Sequence, residues 1–163
     1  LLLEQKPHEA RQVLAEEVAL HGEEFLSEHL ERRDYLDCLF LLAEHALERK
    51  DYFEAFRRLR AFYRIDRGAR HPRHYREEVH RLLKDICLRK LPKALTPEGI
   101  IELLEGAHDL DLSPQEDARR LEILAAAQLE SGDRDGALET VSRLERTDHG
   151  VRAADRIRNE LAS

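Results

Sequence analysis

The chain has 163 residues, 37% of them charged and 42% hydrophobic, and a formal net charge of −7. That length can bury a core, yet no apolar run reaches the ~18 residues that a membrane-spanning helix needs. With 7 glycines, 5 prolines, no tryptophan and few β-branched residues, the composition excludes a sheet-built fold and predicts an all-α chain of about eight or nine helices.

Pro7 stands where a first helical turn accepts proline, and Val13, Leu14 and Val18 follow at helical spacing. Gly22 either kinks this helix or separates it from one carrying Phe25, Leu26, His29 and Leu30. Helices over about 35–49 and 52–66 come next, joined by a turn at Lys50 and Asp51. Ala55, Phe56, Leu59 and Phe62 form the apolar stripe of the second. Gly68 and Pro72 mark a helix stop and a start, and Tyr75, Val79, Leu82, Leu83 and Ile86 stripe the helix that follows.

Thr96 and Pro97 open another helix as cap and first residue, expected to bury Ile100, Ile101, Leu103 and Leu104. Ser113-Pro114-Gln115-Glu116 joins an N-cap serine, an N1 proline and a capping-box glutamate. That helix is expected to end at Ser131 and Gly132, and one over about 134–145 to follow. Val151, Ala154, Ile157 and Leu161 predict a one-sided last helix suited to covering the end of a stack. Cys38 beside Leu39 and Cys87 beside Ile86 lie outside any metal or redox spacing and read as small core residues, a disulfide or reactive thiol being the alternative.

Two stretches 82 residues apart, Leu39–Leu59 and Leu121–Val141, share one pattern without a gap. Leu39, Leu42, Ala43, Leu47, Glu48, Asp51 and Ala55 recur as Leu121, Leu124, Ala125, Leu129, Glu130, Asp133 and Ala137. The alanines fall on the inner faces of successive helices, where small side chains permit close approach. Each aspartate follows a turn and can cap the second helix. This pattern resembles the tetratricopeptide repeat family in Leu42-Ala43, Asp51-Tyr52, Ala55, Leu59 and Phe62, and again in Leu124-Ala125, Gly132-Asp133, Ala137, Val141 and Leu144.

The resemblance is clear over residues 36–67 and 118–148 and weaker over 8–32. Neither copy starts near a tryptophan or ends in proline, Lys50 replaces the usual turn glycine, and the offset of 82 is not a multiple of about 34. The resemblance implies one domain over 1–163, a right-handed array of antiparallel hairpins, with an irregular hairpin at 70–112 and a capping helix at 149–162. Another α-hairpin array or an unrelated bundle are the alternatives. Because the chain starts Leu1-Leu2-Leu3 without methionine, a piece of a longer protein is expected, and an upstream signal or anchor stays open.

Charge is segregated. Residues 1–48 carry 4 basic and 12 acidic residues, 49–90 carry 14 and 6, and 91–163 carry 9 and 16. Arg57, Arg60, Arg64 and Arg67 share a helix face, and Arg73 and Arg76 follow, with His71, His74 and His80 among them. Such a basic patch can dock an acidic or phosphorylated partner; otherwise the acidic flanks neutralise it. The net charge of −7 opposes nucleic acid.

No catalytic, phosphate-binding or metal-ligand spacing stands out, His71-x-x-His74 lacking a paired motif. The expectation is a non-enzyme without cofactor. The family's general role is protein–protein recognition by the first helix of each hairpin. The matching groove positions are Asp37, Phe40, Glu44 and Glu48 in one copy and Arg119, Glu122, Ala126 and Glu130 in the other. Phe40 reads either as an apolar anchor or as packing against the preceding helix. The partner is then another protein or peptide segment, with a second copy also open, and the expected place is the cytoplasm. A regulatory module using the Arg-rich helix, and a non-catalytic arm of a larger enzyme or secretion assembly, are the other readings.

Overall fold

In the computed structural model, residues 7–22, 24, 32–65 and 73–163 are described. Every regular element among them is a helix. Leu1–Leu3, the segment of Phe25 to Leu30 and the Gly68–Pro72 turn lie outside the described residues. The chain divides into two compact units, Leu1–Leu83 and Lys84–Ser163.

In the first unit α1 (Pro7–His21) ends where Gly22 turns left-handed, φ 78°, and donates its amide to the Val18 carbonyl at 2.8 Å. Glycine alone reaches that conformation without a Cβ clash, so the helix stops there. Next, α2 (Arg32–Glu48) and α3 (Tyr52–Ile65) fold back on each other. Leu39, Ala43, Ala55, Phe56, Leu59 and Phe62 are all buried between them or against neighbours. On α4 (Arg73–Asp85), Val79 and Leu83 are fully buried, and His80 stacks on Tyr63 of α3.

Past Asp85 the helical path runs on through a π-helical turn, Ile86–Lys90, into α5 (Leu91–Ala94). Leu91 donates to the Ile86 carbonyl, five residues back. This wide register precedes Pro92, which has no N–H to continue an ordinary ladder. Thr96 caps α6 (Pro97–Glu105) by accepting from the Gly99 amide at 3.3 Å. Ile100, Leu103 and Leu104 are buried, but Ile101 is only half-buried. A 3-10 turn, Ala107–Asp109, leads to α7 (Pro114–Ser131).

The capping box of α7 is formed in both directions. The Glu116 amide donates to Ser113 Oγ at 3.2 Å, and the Ser113 amide to Glu116 Oε1 at 3.0 Å. The helices α8 (Arg134–Glu145) and α9 (Val151–Ala162) complete the second unit. Fully buried Ala125 and Ala137 let α7 and α8 approach closely, while Leu121, Val141, Leu144, Ile157 and Leu161 fill the space beside them. Burying each such aliphatic side chain contributes about 1.5–3 kcal/mol.

The sequence repeat reappears as a repeat of hydrogen bonds. Asp51 N–H bonds the Ala46 carbonyl and Lys50 N–H the Leu47 carbonyl, at 2.9 and 3.0 Å. Their equivalents, Asp133 to Gln128 and Gly132 to Leu129, measure 2.9 and 3.1 Å. Both are the 6→1 and 5→2 pair that closes a helix C-terminus. The aspartate carboxylates then cap the following helices, accepting from Glu54 at 3.1 Å and from Gly136 at 2.9 Å.

Candidate functional site

On α7, Arg119, Glu122, Ala126 and Glu130 form one stripe, and all four border a single open concavity of about 210 Å³. Ile123 and Ala127, 6% and 4% exposed, lie along the same wall, with Pro92 and Ile100 also lining the space. Both oxygens of Glu122 are used. Arg119 Nη1 donates to one at 3.0 Å, and Arg156 of α9 donates to the other. Two guanidinium groups on one carboxylate leave that end of the concavity net positive. Glu130 closes the other end and makes no ion pair among the described residues.

The part played by Arg156 escapes a reading of the hairpins alone, because α9 reads as a cap. One signal was present: Arg156 lies 34 residues after Glu122, which is one repeat length in the family the chain resembles.

In the first unit Asp37, Phe40 and Glu44 are half-buried and Glu48 is exposed. Phe40 meets Phe62 of α3 edge-on, ring centres 6.3 Å apart at 60°, so it packs within its own hairpin. Arg11 of α1, unassigned in the sequence, reaches Glu44 at 3.5 Å and Glu48 at 3.1 Å. Burial pushes the Glu44 carboxyl above its ordinary pKa, and the Arg11 charge opposes that rise.

The arginine-rich helices find acids close by. Arg57 pairs with Glu54 at 3.5 Å, and Arg58, buried and not singled out by its sequence, pairs with the same Glu54 at 2.6 Å. Arg81 grips Glu78 with two bonds, 2.9 and 2.6 Å, and holds that carboxyl below the usual range. Arg89 reaches Asp85 at 3.7 Å. Arg76 lies 4.8 Å over the Tyr63 ring, on which His80 stacks at 5.5 Å. Arg60 is half-buried and Arg64 exposed. Arg67 and His71 lie outside the described residues, as do the side chains of Arg73 and His74. Arg57, Arg58, Arg81 and Arg89 thus meet acids of their own basic stretch, and Lys84 meets Glu116 of the acidic C-terminal stretch at 3.3 Å.

Among the described residues, no group of His, Cys, Asp and Glu could hold a metal ion. No described helix is long and apolar enough to cross a membrane. No protein-family model, no curated protein and no solved structure matches the chain.

Proposed function

We propose that this chain is a non-catalytic helical-repeat scaffold, similar to tetratricopeptide arrays, that holds a segment of another protein. Its hairpins are read as belonging to one right-handed array, with the first helix of each facing the partner. The observation that carries the reading is the concavity on α7, bordered by Arg119, Glu122, Ala126 and Glu130 together. These are the four positions that the resemblance assigns to a groove in the second hairpin. An apolar wall edged by a few oriented charges is the usual chemistry of a recognition surface. The basic helices lend less support to the regulatory alternative, since Arg57, Arg58, Arg81 and Arg89 meet carboxylates of their own segment.

The test is selection of peptides from a random display library on the purified chain, followed by rebinding to Ala126→Trp and Phe40→Ala. Ala126 is exposed, so tryptophan there fills the concavity without entering the core. Selected peptides are expected to lose binding to Ala126→Trp while circular dichroism stays unchanged. Peptides that bind both variants as well as the parent chain would sink the groove assignment.

A further inference from the structure

Both hairpins carry a glutamate at one equivalent position, Glu48 on α2 and Glu130 on α7, 82 residues apart. In the first unit that position is served from within the chain. The Arg11 side chain, only 15% exposed, lies against Glu48 and against Glu44 one turn earlier, at 3.1 and 3.5 Å. A guanidinium so covered has lost water that the carboxylates on it replace, so α1 and α2 together form an arginine seat. In the second unit Ala126 stands where Glu44 would be, and Glu130 has no cation on it among the described residues. Beside it lies the open concavity walled by Pro92 and Ile100.

We propose that this concavity takes the side chain of an arginine carried by a segment of another protein, with the guanidinium on Glu130 and the methylenes over Ala126, Ile100 and Pro92. The proposal rests on the scaffold reading above and adds the chemistry of the partner. Three features select arginine. The small and apolar wall suits its aliphatic stem, and a carboxylate at the rim suits its planar fork. Residues 91–163 carry 9 basic and 16 acidic residues, a field that draws cations in. The segment also acquires a direction. Arg119 and Arg156 share Glu122, eight residues or roughly 12 Å along the helix from Glu130. Their surplus charge repels a second basic residue there and favours a neutral or acidic one.

The experiment titrates the isotopically labelled full chain with the peptide acetyl-Ser-Ala-Arg-Ala-Ser-amide and with its neutral citrulline counterpart, following backbone amide resonances. The arginine peptide is expected to shift Ile100, Ala126, Ala127 and Glu130, and the citrulline peptide to bind about 10-fold more weakly or worse, a difference of ~1.4 kcal/mol. Glu130→Gln should erase that difference, whereas Glu48→Gln should leave it. Equal affinity of the two peptides at these residues overturns the arginine assignment and leaves the scaffold reading standing. Failure of either peptide to shift them, together with an empty display selection, overturns both. A dimer in sedimentation that Glu130→Gln abolishes would give the site to a second copy and overturn the proposal as well.

Discussion

Lys50 and Gly132 occupy the same place in the two hairpins and take the same left-handed turn, φ 58° and 87°. The geometry is dictated by the paired C-terminal hydrogen bonds that both helices make. Glycine meets it freely, while a lysine Cβ crowds the following carbonyl at a cost of about 1–2 kcal/mol. Lys50→Gly is therefore expected to stabilise the first unit by about 0.5–1 kcal/mol, the unfolded-state freedom of glycine offsetting part of the gain. Gly132→Ala should destabilise the second by about 1 kcal/mol. Urea denaturation of both variants checks the opposite signs; destabilisation by Lys50→Gly would contradict the turn assignment.

Arg120 is 1% exposed, the largest fully buried side chain among the described residues. Its Nη1 donates to the Leu104 carbonyl at 2.9 Å, an oxygen near the end of α6 that also accepts from the Gly106 amide, and its Nε donates to Asp117 at 2.8 Å. Arg120→Met keeps the aliphatic stem but removes the charge-assisted bond to that carbonyl, so a loss of about 1.5–3 kcal/mol is expected in chemical denaturation. Asp117→Asn should cost under ~1 kcal/mol, because the aspartate is 37% exposed and water can replace it. Equal losses from the two would mean that the ion pair, rather than the carbonyl contact, holds the guanidinium.

Gln128 and Thr140 join α7 to α8 through a buried hydrogen bond, Thr140 Oγ1 donating to Gln128 Oε1 at 2.7 Å. The equivalent pair in the first hairpin is Ala46 and Arg58. Gln128→Leu alone or Thr140→Val alone leaves one buried polar group without its partner and should cost about 1–3 kcal/mol. The double variant should recover most of either loss, with a coupling energy of about 1 kcal/mol or more. Simple additivity in the double-mutant cycle would show that the two side chains do not act as a pair.

Local signals made the second unit readable. The Ser113 cap, Pro114 and Glu116 determine one helix start within a four-residue window, and Gly132 marks its end; both operate through backbone groups a few residues away. The same holds for Thr96 and Asp133. What stayed hidden depends on distance. Arg120 finds a carbonyl 16 residues back, and Arg11 finds its glutamates on another helix; at their own positions both look like ordinary surface arginines. The π turn was hidden for another reason, since Leu91 follows Ile86 at an apolar spacing that also fits two separate helices. Of the candidate site, the α7 stripe followed from the family resemblance that the repeat carries, whereas Pro92, Ile100 and Arg156 come from segments outside it.

Glu116 links the capping box to pH. The Ser113 amide, and after it Lys84 at 3.3 Å, hold its carboxyl below the ordinary glutamate range. The unfolded chain then takes up the proton first as pH falls. The stabilisation is complete above the unfolded-state value, about 4.3, and is lost as pH drops through the depressed folded value. Glu116→Gln keeps an acceptor for the Ser113 amide and does not titrate. The stability gap between parent and variant should be constant from pH 7 to about 5 and shrink from there toward pH 3. A gap that persists unchanged to pH 3 would contradict the depressed carboxyl.

Cys38 lies half-buried on α2, and burial, reinforced by Asp37 and Asp34, pushes its thiol up to about 11. The thiolate is the reactive species, so an upward shift of this size leaves Cys38 at pH 8 about 100-fold or more slower toward iodoacetamide than an unperturbed thiol. Peptide-level mass spectrometry of timed alkylation should show this slow rate for the folded chain and a normal one in 8 M urea. Asp37→Asn removes one of the two nearby negative charges and leaves the burial, so it should raise the folded rate only a few-fold. The half-burial already sets Cys38 apart from the core residue expected of it, and folded-state alkylation as fast as in urea would contradict the raised pKa and make it a reactive thiol.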